Sequence, residues 1–124
     1  MKLQPDRFDV PSVTAYGEGW LAINDQRYES SVMLGGPAGV TPIETTAASG
    51  ADASLLERAA ALLNPAPEVV LVGTGAHHRQ LHPKEMRSLM AQRIGVECMD
   101  TQAACRTYNI LAGEGRRVCA ILLI

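Results

Sequence analysis

The apolar positions of this chain first follow a strand-like spacing and then alternate between helical spacing and short continuous apolar runs, a change that predicts an α/β fold. Trp20-Leu21-Ala22-Ile23 reads as a strand, Asn24-Asp25-Gln26 as a polar turn, and Arg27 to Leu34, with Tyr28, Val32 and Leu34 set among small polar residues, as the returning arm of a hairpin. Gly35-Gly36-Pro37 breaks that arm. Ala38 to Ile43 predicts one more short strand, and Pro42, which has no N–H to give to a ladder, places it at a sheet edge.

The linker TTAASGADA at residues 45–53 leads into the first helical pattern, Leu55, Leu56, Ala59, Leu62 and Leu63, with Ser54 and Glu57 spaced as a capping box and Asn64-Pro65 as the stop. Glu68 to Val72 is a short apolar run closed by Gly73-Thr74-Gly75, the signature of a strand buried on both faces. A second helix is predicted from Pro83, with Met86, Leu89, Met90 and Ile94 on one side and Gly95 as terminator. Val96 to Met99 forms the next strand, Asp100-Thr101 caps a third helix bearing Ala104, Tyr108 and Leu111, Gly113 stops it, and Arg117 to Ile124 is the last strand. This order implies a C-terminal βαβαβ unit of parallel strands with right-handed crossovers, to which the N-terminal hairpin adds either strands or a second layer. The nearly continuous apolar run Val118 to Ile124 predicts an interior strand of the sheet.

Composition then narrows the function classes. With 124 residues, 47% of them apolar, the chain is long enough to bury about two-thirds of its unfolded surface in one domain, expected over residues 13–124 behind an N-terminal arm at 1–12. Aromatic residues are 4% of the total and the formal charge is −2 with scattered basic residues, which argues against nucleic acid as a partner. Cys98, Cys105 and Cys119 form no C-x-x-C pair, and the opening segment MKLQPDRFDVPSV has no apolar leader. No run approaches the roughly 20 apolar residues that cross a bilayer, so a cytoplasmic protein without membrane insertion is expected.

In an open α/β sheet, ligands bind beyond the carboxyl ends of the strands. That places a candidate crevice at Gly73, Thr74 and Gly75 after one strand and at Asp100, Thr101, Cys105, Arg106 and Asn109 around the start of the third helix. The glycines allow close backbone approach, and Arg106 is suited to a carboxylate or phosphate, although Arg106, Thr107 and Asn109 equally suit an internal polar network near Asp100. Cys105 beside Arg106 reads either as a thiol of lowered pKa or as a small buried packing residue, the second being favoured; Cys98 and Cys119 are read as packing. His77, His78 and His82 are read as solvated loop histidines. No catalytic set, metal or cofactor is predicted.

The stretch Ile94 to Leu122, IGVECMDTQAACRTYNILAGEGRRVCAIL, with YGEGWLAIN at Tyr16 to Asn24, the Y-x-x-S-V pattern at Tyr28 to Val32, GVTP at Gly39 to Pro42 and VVLVGTG at Val69 to Gly75, resembles the family that includes the adipogenesis-associated domain protein and mitochondrial complex I assembly factor three. The resemblance implies a three-layer α/β domain whose central mixed sheet has a β-layer on one side and helices on the other. It places recurring polar positions on Gly73, Gly75, Asp100, Thr101, Arg106, Thr107, Asn109 and Glu114. It also implies a non-enzymatic assembly or interaction factor with a protein partner, a respiratory complex being the candidate client, and leaves self-association open. Ile43 and the histidine-rich loop after Gly75 depart from the family pattern. The alternative is a small-molecule or anion binder, or an enzyme, using the crevice.

Overall fold

The structure, a computed structural model, describes residues 10–124. Most of the expected N-terminal arm, residues 1–9, lies outside the described residues. Val10 packs against the core, and Ser12 is tied to Asn24 through the amide to Oδ1 (3.1 Å) and through the Asn24 amide to its carbonyl (2.9 Å).

Three short strands, β1 (Val13–Gly17), β2 (Trp20–Ile23) and β3 (Gln26–Tyr28), form an antiparallel sheet in that order. The turn between β2 and β3 is shorter than expected: Asn24 and Asp25 both have positive φ (51° and 69°), the pattern of a two-residue type I′ hairpin, and Gln26 already pairs with Ile23. The predicted arm Arg27 to Leu34 is two strands rather than one. It bends at Ser30 and Ser31, and β4 (Val32–Leu34) enters a second sheet, because Ser31 is bonded elsewhere: its carbonyl accepts the Ile43 amide (2.9 Å) and its hydroxyl the Ile124 amide (2.8 Å). β5 (Val40–Pro42) returns antiparallel along β4 and is the sheet edge, as Pro42 requires.

The central sheet runs β5-β4-β8-β6-β7, with β6 (Val69–Gly73), β7 (Gly95–Met99) and β8 (Val118–Leu122) mutually parallel and β4 antiparallel to β8. The connection from β6 to β7 runs outward, and that from β7 to β8 runs back across β6. Two crossovers of one hand in opposite directions put their helices on opposite faces. Accordingly α1 (Ala53–Ala60) and α2 (Pro83–Ala91) cover one face, packing Leu55, Leu56 and Leu89 on Val70, Val72, Ile121 and Leu123. α3 (Thr101–Gly113) does not join them. It shares the other face with the β1-β2-β3 sheet, where Tyr108 and Cys105 pack with Leu21, Ile23, Leu71, Ala120 and Leu122. The resemblance implied a β-layer on one side and helices on the other; α1 and α2 follow that division, whereas α3 lies on the β side.

The helix ends show which local signals the chain uses. The cap of α1 is Asp52, whose carboxylate accepts the Leu55 amide at 2.9 Å, so the helix starts two residues earlier than a Ser54 cap would start it. α2 is capped by His82 through its ring nitrogen and stops at Ala91, short of Gly95. The residue that turns the chain is Arg93 (φ 62°), with the Ile94 amide bonded to Leu89 and the Arg93 amide to Met90, a Schellman ending without glycine. In α3 the same pair of bonds, Arg116 to Leu111 and Gly115 to Ala112, is turned by Gly115 (φ 81°); Gly113 is simply the last helical residue.

Strand β8 is buried along its whole length and has neighbours on both sides, the interior position its composition predicted. Ile121→Ala should destabilise the fold by about 2–5 kcal/mol, since the cavity lies where neither sheet nor helices can collapse into it. Urea denaturation measures this; an unchanged midpoint would mean that the strand is peripheral to stability.

Candidate functional site

The carboxyl ends of β6, β7 and β8 are joined by two threonine hydroxyls. Thr101, the first residue of α3, accepts the Gly75 amide (2.8 Å) on Oγ1 and donates from it to the Leu123 carbonyl (2.7 Å), while its own amide donates to the Gly75 carbonyl (2.8 Å). Thr74 is buried; its hydroxyl lies within hydrogen-bond distance of the carbonyls of His77 (2.7 Å) and Met99 (3.2 Å) and accepts the Arg79 amide (3.1 Å). Gly73 is where helix and strand touch: a Cβ there would lie 2.9 Å from the Thr101 Cα and 3.1 Å from the Ala104 Cβ, so only glycine lets α3 sit this close to β6. Gly75 adopts φ +107°, and a Cβ would meet that of Ala47 at 2.5 Å.

Above these ends lies an open groove of about 580 Å³. One wall is Gly75, Ala76, Asp100, Thr101, Gln102 and Arg106; the other is the β1–β2 turn from Tyr16 to Trp20; Leu123 and Ile124 contribute carbon surface between them. Arg106 spans the groove to donate to the Tyr16 hydroxyl at 2.7 Å, with its guanidinium 5.9 Å from that ring's centre. Trp20 packs against the guanidinium of Arg27, 4.4 Å from its ring centre, and against Gly17, where any side chain would overlap the indole. Asp100 accepts the Ala103 amide at 2.9 Å and so serves as the helix cap.

Of the eight residues read from the sequence as a crevice, Gly75, Asp100, Thr101 and Arg106 line this groove together. Gly73 and Thr74 lie beneath it as structural supports. Asn109 is bonded on both sides to β1, accepting the Val13 amide (2.8 Å) and donating to the Val13 carbonyl (2.7 Å), and thereby fastens the small sheet to α3. Cys105 has no exposed surface and packs in the core, the packing reading of the two. Burial pushes its thiol up to about 11; Arg106 acts in the opposite, lowering direction, but less strongly. His82 caps α2, donated to by the Lys84 amide, and among the described residues no three His, Cys, Asp or Glu side chains converge on a point. Sequence reasoning missed Tyr16 and Trp20. Gly17-Glu18-Gly19 marked their turn, but nothing local showed that it faces the start of a helix more than eighty positions later.

Residues 13–123 match the family described as protein of unknown function DUF498/DUF598. The chain belongs to this family. Among relatives, it is 42% identical over 62 residues to a mouse protein named NADH dehydrogenase [ubiquinone] 1 alpha subcomplex assembly factor 3, a match that spans half of this chain and 34% of the mouse protein. It is 38% identical over 58 residues, 46% of each chain, to a Francisella tularensis protein named 13 kDa major membrane protein. The solution structure of a Bordetella pertussis Mth938-like domain superposes with a TM-score of 0.82 at 40% identity, covering 99% of this chain and 92% of that one. The DUF498/DUF598 fold is thus shared over its length, whereas the match to the curated assembly factor spans about a third of that protein. Among the described residues no helix is long and apolar enough to cross a membrane.

Two outcomes follow for this DUF498/DUF598 chain. Thr101→Val keeps the shape but leaves the Gly75 amide and the Leu123 carbonyl without the hydroxyl, and should cost about 1–3 kcal/mol in urea denaturation. The second concerns alkaline pH. The thiols of Cys105 and Cys119 ionise near their ordinary 9.0 in the unfolded chain but are pushed by burial up to about 11 and about 12 in the fold. Above pH 9 the unfolded state loses protons that the folded state keeps. The stability these thiols contribute is therefore full below pH 9 and is lost as pH rises through about 11 for Cys105 and about 12 for Cys119. Unfolding free energies at successive pH values should fall over that window by roughly 1–3 kcal/mol per thiol, and Cys105→Ala should flatten the slope. A profile equally steep in that variant would locate the cause elsewhere.

Proposed function

We propose that this chain is a non-enzymatic assembly factor that binds subunits of an NADH dehydrogenase-type respiratory complex from the cytoplasmic side. The observation that carries the reading is the 42% identity with a protein named as an assembly factor for that complex. The site geometry supports it. The hydroxyls of Thr74 and Thr101, the carboxylate of Asp100 and the amide of Asn109 are each engaged in holding elements together, and the thiol of Cys105 is buried. Groups spent on internal bonds make a rigid surface rather than a reacting centre.

The test is co-purification from the native cell under gentle extraction, together with native-gel analysis of the complex in cells lacking the protein. NADH dehydrogenase subunits should be enriched over a control bait, and the assembled complex should decline and recover on complementation. Recovery of none of those subunits, with normal levels of the complex, would sink the proposal. Cell fractionation separates a cytoplasmic pool from a membrane-bound one.

A further inference from the structure

We propose that the groove between the Tyr16–Trp20 turn and the ends of β6 and β8 binds a small monoanionic organic acid, with Arg106 holding the carboxylate and Trp20 and Leu123 packing its apolar body. This is independent of the assembly role.

A guanidinium carries five N–H donors in a rigid planar fork that matches a carboxylate. Among the described residues Arg106 engages one of its nitrogens, Nη1 on the Tyr16 hydroxyl, so the rest of the fork is available while that bond restrains its plane. A charged side chain already positioned loses less freedom when a ligand arrives. Trp20, itself fixed by Arg27 and Gly17, and the carbon surface of Leu123 and Ile124 line the same groove and offer apolar contact to the body of a ligand whose charged end is on the exposed guanidinium. A volume near 580 Å³ falls within the usual range for small ligands, about 300–1,000 Å³.

The charge of the ligand is limited by the other groups that face the groove. Glu18 and Asp100 also line it, and the Asp100 carboxylate, though offset by the Ala103 amide, remains an acceptor. Two carboxylates around one guanidinium repel a phosphate dianion more than a carboxylate monoanion. A small acid with one carboxylate and an apolar body satisfies all three constraints.

Trp20 is the single tryptophan of the chain, so its fluorescence reports on groove occupancy directly. The probes are benzoate and its neutral isostere benzamide, titrated at constant ionic strength, with inorganic phosphate as a third arm. Benzoate should give a saturable change with a dissociation constant on the order of millimolar. Benzamide and phosphate should bind at least tenfold more weakly. Arg106→Gln should lose at least tenfold in benzoate affinity, and Tyr16→Phe, which keeps the ring but frees the guanidinium, should lose less; circular dichroism establishes that both variants are folded. Amide chemical shifts should move at Gly75, Gln102 and Arg106. Equal binding of benzoate and benzamide, undiminished binding by a folded Arg106→Gln, or no saturation at all overturns the proposal, and none of these results bears on co-purification with respiratory subunits.

Discussion

The architecture depends on β8 lying between β4 and β6, antiparallel to one and parallel to the other. Its alternate side chains feed both cores: Val118, Ala120 and Leu122 point to the side of α3 and the small sheet, Cys119, Ile121 and Leu123 to the side of α1 and α2. Because the same five-residue strand forms the floor of both layers, neither core is complete without it. The groove inherits this, since Leu123, immediately after β8, supplies both a wall and the carbonyl that holds Thr101.

The site is in turn a by-product of topology. A sheet order of β8-β6-β7 reverses the direction of the crossovers, and reversal opens a crevice at the strand ends because the two helices leave to opposite faces. In this chain α3 then shares its face with the small sheet, and Asn109 clamps Val13 so that the turn after β1 overhangs the start of the helix. Gly73 sets how closely α3 approaches, and Arg106 reaches across what remains. Each of these residues acts on the position of the next.

Much of this was legible in the residues alone, for physical reasons that differ by element. Continuous apolar runs such as Val69–Val72 and Val118–Leu122 mark strands covered on both faces, and Asp100 marks a helix start because its carboxylate satisfies an amide within one turn. Where several candidates compete locally, the pattern misleads: Ser54 looked like the cap of α1, but Asp52 has it, and Gly95 looked like the end of α2, but Arg93 takes the left-handed conformation. The departure of Val32–Leu34 from the hairpin is decided by Ser31's bonds to Ile43 and Ile124, partners distant in sequence. Half of the site was recoverable for the same reason: Gly75, Asp100, Thr101 and Arg106 sit on local signals, whereas Tyr16 and Trp20 arrive through the packing of one layer on another.

The central position of the last strand also shapes how the protein is made. As synthesis proceeds from the N-terminus, β4 and β6 emerge with a gap between them that β8 fills, and β8 follows both in the chain. Until then two unpaired edges and the apolar inner faces of three helices face water, a state that invites association with other nascent chains. The pairing of β4 with β8 closes a loop of most of the domain, which is slow because of its sequence separation. Both cores are therefore completed only once β8 is in place, and the interval before that is when the chain is most exposed to association.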